Sequence, residues 1–144
     1  MSGFEFDDSL FPLVVVRTPA QFEDADFAAL FHRFEKNFQR GERYALLLDT
    51  TPVTTVPTAK QRAIISTWEK AHFDETRRWN VGTALVVTSA LVRGVLTALA
   101  WIVPDETPRV HVGTEREGVE WCTKRLTECG IELRPSLGRM RIPR

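Results

Sequence analysis

Cysteine is scarce in this sequence: Cys122 and Cys129 are the only two among 144 residues. They lie seven apart in a stretch that reads as helix, which separates their backbones by roughly 10 Å. A disulfide needs Cα atoms within about 7 Å, so an intact helix excludes a bridge between them. The spacing puts both on one helical face, where cysteine acts as a small buried hydrophobe. Net charge is also missing, because nineteen basic and nineteen acidic side chains cancel. That removes any long-range drive towards nucleic acid or an anionic membrane. Long apolar runs are lacking as well. The longest, Val95–Val103, is broken by Thr97 and falls far short of the ~20 residues that span a bilayer. No membrane insertion is expected. The first twelve residues are acidic and lack the basic start and apolar run of a secretory leader, so the expected location is cytoplasmic.

Motifs that carry chemistry are lacking too. His32, His72 and His111 show no metal-ligand spacing among themselves or with a Cys or Glu. There is no Gly-x-Ser-x-Gly elbow, no phosphate-cradling glycine loop and no dinucleotide glycine pair. Gly82 and Gly94 stand alone. The expectation is a protein without catalytic machinery, metal or cofactor.

What is present is an ordinary globular composition, 43% hydrophobic and 26% charged. A chain of this length buries roughly two-thirds of the surface its unfolded form exposes and needs no staple. It reads as one domain over residues 1–133, followed by an extension, 134–144, made basic by Arg134, Arg139, Arg141 and Arg144. The extension is either a solvated tail or a segment that docks on an acidic surface.

Short β-like runs alternate with longer helical ones. Phe4-Glu5-Phe6 and Leu10–Arg17 suggest a hairpin across Asp7-Asp8-Ser9. Tyr44–Asp49 and Thr83–Thr88 are apolar enough for central strands, and the mixed Arg109–Val112 suggests an edge. Helix starts are signalled by Thr18-Pro19-Ala20-Gln21, Thr58-Ala59-Lys60-Gln61 and Thr114-Glu115-Arg116-Glu117, each a capping box, and by Ser89 as a plain cap. Four helices are expected. The first spans 20–39 and buries a phenylalanine stripe. The second spans 58–78 and has His72 in its middle. The third, 89–103, is apolar almost all round, and the fourth, 114–129, ends at Gly130. Such a third helix either lies under its neighbours or lends a face to a homodimer. The alternation predicts an α/β fold with a four- or five-stranded mixed, mainly parallel sheet flanked by four helices.

One constellation suggests a ligand or partner site. Asp49 ends a buried strand. Thr58 and Ser89 cap successive helices, and Arg62 and Arg93 each lie one turn inside. Helix N-termini at strand ends favour anions, so these residues could hold a phosphate or carboxylate. The alternative is that both arginines brace Asp49 or loop carbonyls.

The run Arg43–Asp49, then Pro57–Arg62 with Trp68, resembles bacterial STAS/SEC14-like (SpoIIAA-like) domains. So do Gly82–Val87, Ser89–Ala98 and Glu120-Trp121, and the resemblance covers roughly residues 10–129. It implies a mixed sheet flanked by helices and no enzyme. Relatives of this kind include regulatory anti-sigma-factor antagonists, which bind a protein partner and are switched by phosphorylation, and lipid-carrying domains. The antagonists carry the phosphorylated Ser in an Asp-Ser pair at the start of the helix after the central strand. Here Thr58 falls at about that place, making it a candidate phosphosite, but Pro57 stands where Asp would be. Two readings follow: a non-enzymatic regulatory or scaffold domain that binds a protein partner, or a small-molecule or lipid-binding module with its head group at Arg62 and Arg93. The second predicts a deep apolar pocket.

Overall fold

A computed structural model describes residues 3–102 and 107–133, with backbone alone at 101 and 102. Residue 103 and the extension 134–144 therefore lie outside the described residues. The rest is a five-stranded mixed sheet with five helices. β1 (Glu5–Asp7) and β2 (Leu13–Arg17) form the expected antiparallel hairpin. Its turn is fastened by Asp7, whose Oδ1 accepts from Ser9 N at 2.9 Å and Ser9 Oγ at 2.6 Å. There follow α1 (Asp24–Phe38), β3 (Tyr44–Asp49), α2 (Ala59–Ala71), α3 (Phe73–Trp79) and β4 (Asn80–Val86). The described chain ends with α4 (Ala90–Ile102), β5 (Arg109–Val112) and α5 (Glu115–Glu128).

The strands lie side by side in sequence order, with β2 to β5 all parallel. Right-handed crossovers that all step the same way along a sheet lay their helices on the same face. The helices of those crossovers, α1 to α4, therefore share one face, and α5 is the only helix among the described residues to cross the other. Side-chain alternation agrees. Leu13, Val15, Ala45, Leu47, Ala84 and Val86 point to α5 and bury Cys122 and Leu126. Val14, Val16 and Tyr44 point to α1, where they meet Leu30 and Phe38.

α5 sits close to the sheet because two glycines let it. A Cβ on Gly118 would collide with Cδ1 of Leu47, and one on Gly82 would come within 2.9 Å of the Trp121 ring. The start of α5 follows the expected signal: Thr114 Oγ1 accepts from Glu117 N at 3.1 Å. Glu117 reaches one residue further back than a full box, to Gly113 N at 3.1 Å.

Three expectations from the sequence need correction. First, Thr18 does not cap a helix. Its N–H donates to Asp49 O at 3.1 Å, continuing the β2–β3 ladder and holding it extended. The helix starts later, where Glu23 N donates to Asp26 Oδ2 at 2.8 Å. Second, the long helix over 58–78 is two helices broken at His72, and this raises the helix count from four to five. A straight helix of that span would be roughly 30 Å long, whereas a six-residue strand spans only about 20 Å. The chain must bend to deliver Asn80 directly into β4. Third, α4 does not lie under its neighbours, the first of the two placements expected of it. Val92 is the only buried side chain described on it, and Leu91 is 65% exposed. As the last crossover it lies towards the edge strand β5, with α2 as its helical neighbour.

Candidate functional site

The sequence-derived site residues are divided by the sheet. Thr58 caps α2 as expected: its Oγ1 accepts from Gln61 N at 3.1 Å, and Gln61 Oε1 accepts from Thr58 N at 3.0 Å. Ser89 Oγ accepts from Val92 N at 3.3 Å, capping α4. Arg62 turns back and donates to Pro57 O at 2.8 Å, which is the bracing role. Arg93 is exposed and lies towards β5. There, partial burial, followed by the Arg93 and Arg109 charges, holds the His111 imidazole below its ordinary pKa.

Asp49 belongs to the opposite face. Its Oδ1 accepts from Thr51 N at 2.9 Å and Thr51 Oγ1 at 2.7 Å. Burial, together with a hydrogen bond shared with Glu115, pushes its carboxyl above the usual range. Glu115 in turn takes a two-pronged bond from Arg17, at 2.8 and 2.9 Å, and Arg17 also reaches Glu5 at 2.8 Å. Burying a carboxyl disfavours its charged form, and the neighbouring Glu115 charge acts in the same direction. This chain ties β1, β2 and β3 to the start of α5. The structure thus brings neither arginine to Asp49.

Other reactive groups are in structural use. Cys122 is buried and its thiol pushed up to about 12 by that burial, so it is a poor nucleophile. Both cysteines are free, as their spacing requires. His72 stacks on Trp68 at 4.3 Å, with Nδ1 3.0 Å from Trp68 O. Among the described residues no three His, Cys, Asp or Glu side chains gather as metal ligands, and no helix is long and apolar enough to cross a membrane.

A different site emerges on the crossover face. A cavity of about 230 Å³ lies between the sheet and the crossover helices, floored by Val16, Leu46, Leu48 and Leu85. Its roof is Phe31 and Phe34 of α1, Ile65 and Trp68 of α2, and Leu96 and Leu99 of α4. The central strand shows the asymmetry best. Ala45 and Leu47, facing α5, are 0% exposed, while Leu46 and Leu48, facing the helices, are only half-buried. Single-sided winding explains this, since four helices share one face and stand over it on long aromatic side chains. Trp68 is held rigid in the roof by stacking on Phe31, at 4.5 Å and 6°, and by Nε1 donating to Glu35 Oε2 at 2.9 Å. Thr18 and Thr50 line the cavity at the carboxyl ends of the strands. Asn80, Thr83 and Arg109 line it at the other end. Neither Arg62 nor Arg93 lines it.

The α1 phenylalanine stripe, expected from the sequence to be closed core, is only partly so. The stripe was the one available signal for the cavity, because Phe31 and Phe34 are half-buried in its roof. Compared with known proteins, the chain matches no family model and no curated sequence.

Proposed function

We propose that this protein is a non-enzymatic binding module for a small, largely apolar molecule held between the sheet and the crossover helices. The observation that carries this reading is the cavity on the central strand, where an apolar floor and an aromatic roof leave Leu46 and Leu48 only half-buried. Small-molecule sites are concave, mostly apolar and furnished with a few polar groups, and this cavity has all three properties. The resemblance to STAS/SEC14-like domains points the same way through their lipid-carrying members. The anchor changes, however. Arg62 and Arg93 stand outside the cavity, so its polar groups, not those arginines, hold the ligand. Native mass spectrometry of the protein as purified, and after equilibration with naphthalene and decanoic acid, tests the reading. One-to-one adducts are expected. Bare protein throughout, with an unshifted melting temperature, refutes it.

A second reading, a regulatory or scaffold domain that binds a protein partner, is favoured by α4. Its outward surface carries Leu91 at 65% exposure, flanked by exposed Ala90 and Gly94. In this reading the helix seats a second copy of the chain, and phosphorylation of the exposed Thr58 adds charge beside Arg62. Leu91→Glu should then abolish dimers in sedimentation velocity; a wild type that is monomeric at high concentration removes this reading.

A further inference from the structure

The cavity has one feature that its apolar lining does not explain. Thr18 is 9% exposed, and its Oγ1 is buried with no hydrogen-bond partner among the described residues. Buried hydroxyls are nearly always satisfied. Thr18 also belongs to the cavity wall. It follows Val14 and Val16 on the crossover face of β2, and the register Glu5↔Arg17 sets Phe4 opposite it. Its backbone is pinned, because the N–H is committed to Asp49 O at 3.1 Å. Rotation about Cα–Cβ is the freedom left to Oγ1, and the side chain it moves lines the cavity. Asn37 has unpartnered amide atoms as well, but it does not line the cavity.

The surroundings of Thr18 define what could meet it. Phe4, Phe22 and Phe27 cluster at this end with ring centroids 5.4–5.7 Å apart, and all three line the cavity. Their faces and edges suit an aromatic ring in offset or edge-on contact. The charged lining residues, Glu69 and Arg109, lie away from Thr18: Arg109 opens β5 at the other end of the strands and Glu69 is late in α2. The group at Thr18 is therefore neutral. The volume suits a small ring system. A dry cavity of about 150 Å³ accepts benzene, so one of about 230 Å³ accepts a fused two-ring molecule.

The geometry points to a compact aromatic compound of one or two rings with a single neutral hydroxyl, seated with that hydroxyl on Thr18 Oγ1. This rests on the binding-module reading and adds the ligand's chemical class and the residue that orients it. The threonine hydroxyl both donates and accepts, so it completes a pair with a phenolic O–H in either direction. A ligand with a methyl group in that place gives Oγ1 no partner.

Calorimetric titration of the whole chain with 2-naphthol and with 2-methylnaphthalene tests this, using wild type, Thr18→Val and Thr18→Ser. The two compounds have the same shape and differ in the hydroxyl. The ratio of their dissociation constants should move about tenfold against 2-naphthol in Thr18→Val, the effect of one buried hydrogen bond. Thr18→Ser keeps the hydroxyl and should restore the wild-type ratio to within about threefold. Thr18→Val should melt at or above wild type, since it removes an unsatisfied polar group, so loss of folding does not confuse the result. If both compounds bind wild type and the ratio is the same in Thr18→Val, Thr18 is not the anchor and the inference falls while the cavity reading stands. If neither compound binds wild type, the binding-module reading fails and this inference with it.

Discussion

Leu46 and Leu47 are neighbours on β3 that point to opposite faces of the sheet, and replacing each with phenylalanine asks whether those faces differ as described. Leu47 is 0% exposed and lies against Gly118 of α5, so the added ring atoms have nowhere to go. Overpacking of this kind costs about 2 kcal/mol. At about 4 °C per kcal/mol for a chain of this size, Leu47→Phe should melt roughly 8 °C below wild type. Leu46 is in the cavity floor. Its replacement grows into open space and covers on the order of 30 Å² of apolar surface, a gain of about 0.8 kcal/mol. Leu46→Phe should therefore melt at or a few degrees above wild type, and it should lose the one-to-one adducts because the ring occupies part of the ligand's volume. Thermal melts followed by circular dichroism, with urea curves to confirm that the m-value is unchanged, make the comparison. If Leu46→Phe loses as much stability as Leu47→Phe, the crossover face is as tightly filled as the α5 face, and the cavity argument collapses.

Two further substitutions probe other parts of the structure. Glycine-to-alanine at two helical positions should have opposite signs. Gly94, with nothing within 4 Å of a new Cβ, should gain about 0.8 kcal/mol in urea denaturation, while Gly118, facing Leu47, should lose about 1–2 kcal/mol. Equal effects would show that α5 does not depend on close approach. The third prediction concerns pH. The Asp49 carboxyl is raised in the folded state above its unfolded value near 3.9, so the folded protein holds a proton that the unfolded chain has released. Wild-type stability should fall as pH rises from about 4 through the folded pKa. Asp49→Asn keeps a donor for Glu115 and an acceptor for Thr51 but has no proton to lose. It should flatten that fall and be more stable than wild type at pH 8 by about 1 kcal/mol. Parallel pH profiles would mean that the Asp49 carboxyl is not raised in the folded state.

The parts of the fold set by local chemistry were legible in the sequence. The strands Tyr44–Asp49 and Arg109–Val112 occupy the expected residues, and the Thr58, Ser89 and Thr114 caps all form. The failures came where a distant partner decided. Thr18 looks like a cap until Asp49 O takes its N–H. The break at His72 depends on how far the chain must travel to start β4, which only the sheet's dimensions reveal. The candidate site fared worse for the same reason. Asp49 meets Glu115, far along the chain, and the cavity exists because all crossovers fall on one side. Strand order is not written in any local pattern, so neither could be read in advance.

Placing α5 alone on its face also constrains how the chain is made. Among the described residues, Leu13, Val15, Ala45, Leu47, Ala84 and Val86 find most of their cover in Cys122 and Leu126, with Val119 and Trp121 of α5 and with Ile131 and Leu133 just after it. A ribosome adding about 5–20 residues per second takes roughly 2–8 s to travel from Val86 to Leu126. During that interval an assembled sheet would present a bare oily surface to the cell. The nascent chain must therefore either delay sheet assembly until α5 has emerged or be shielded by a chaperone, and a product cut short before α5 is a substrate for aggregation and proteolysis.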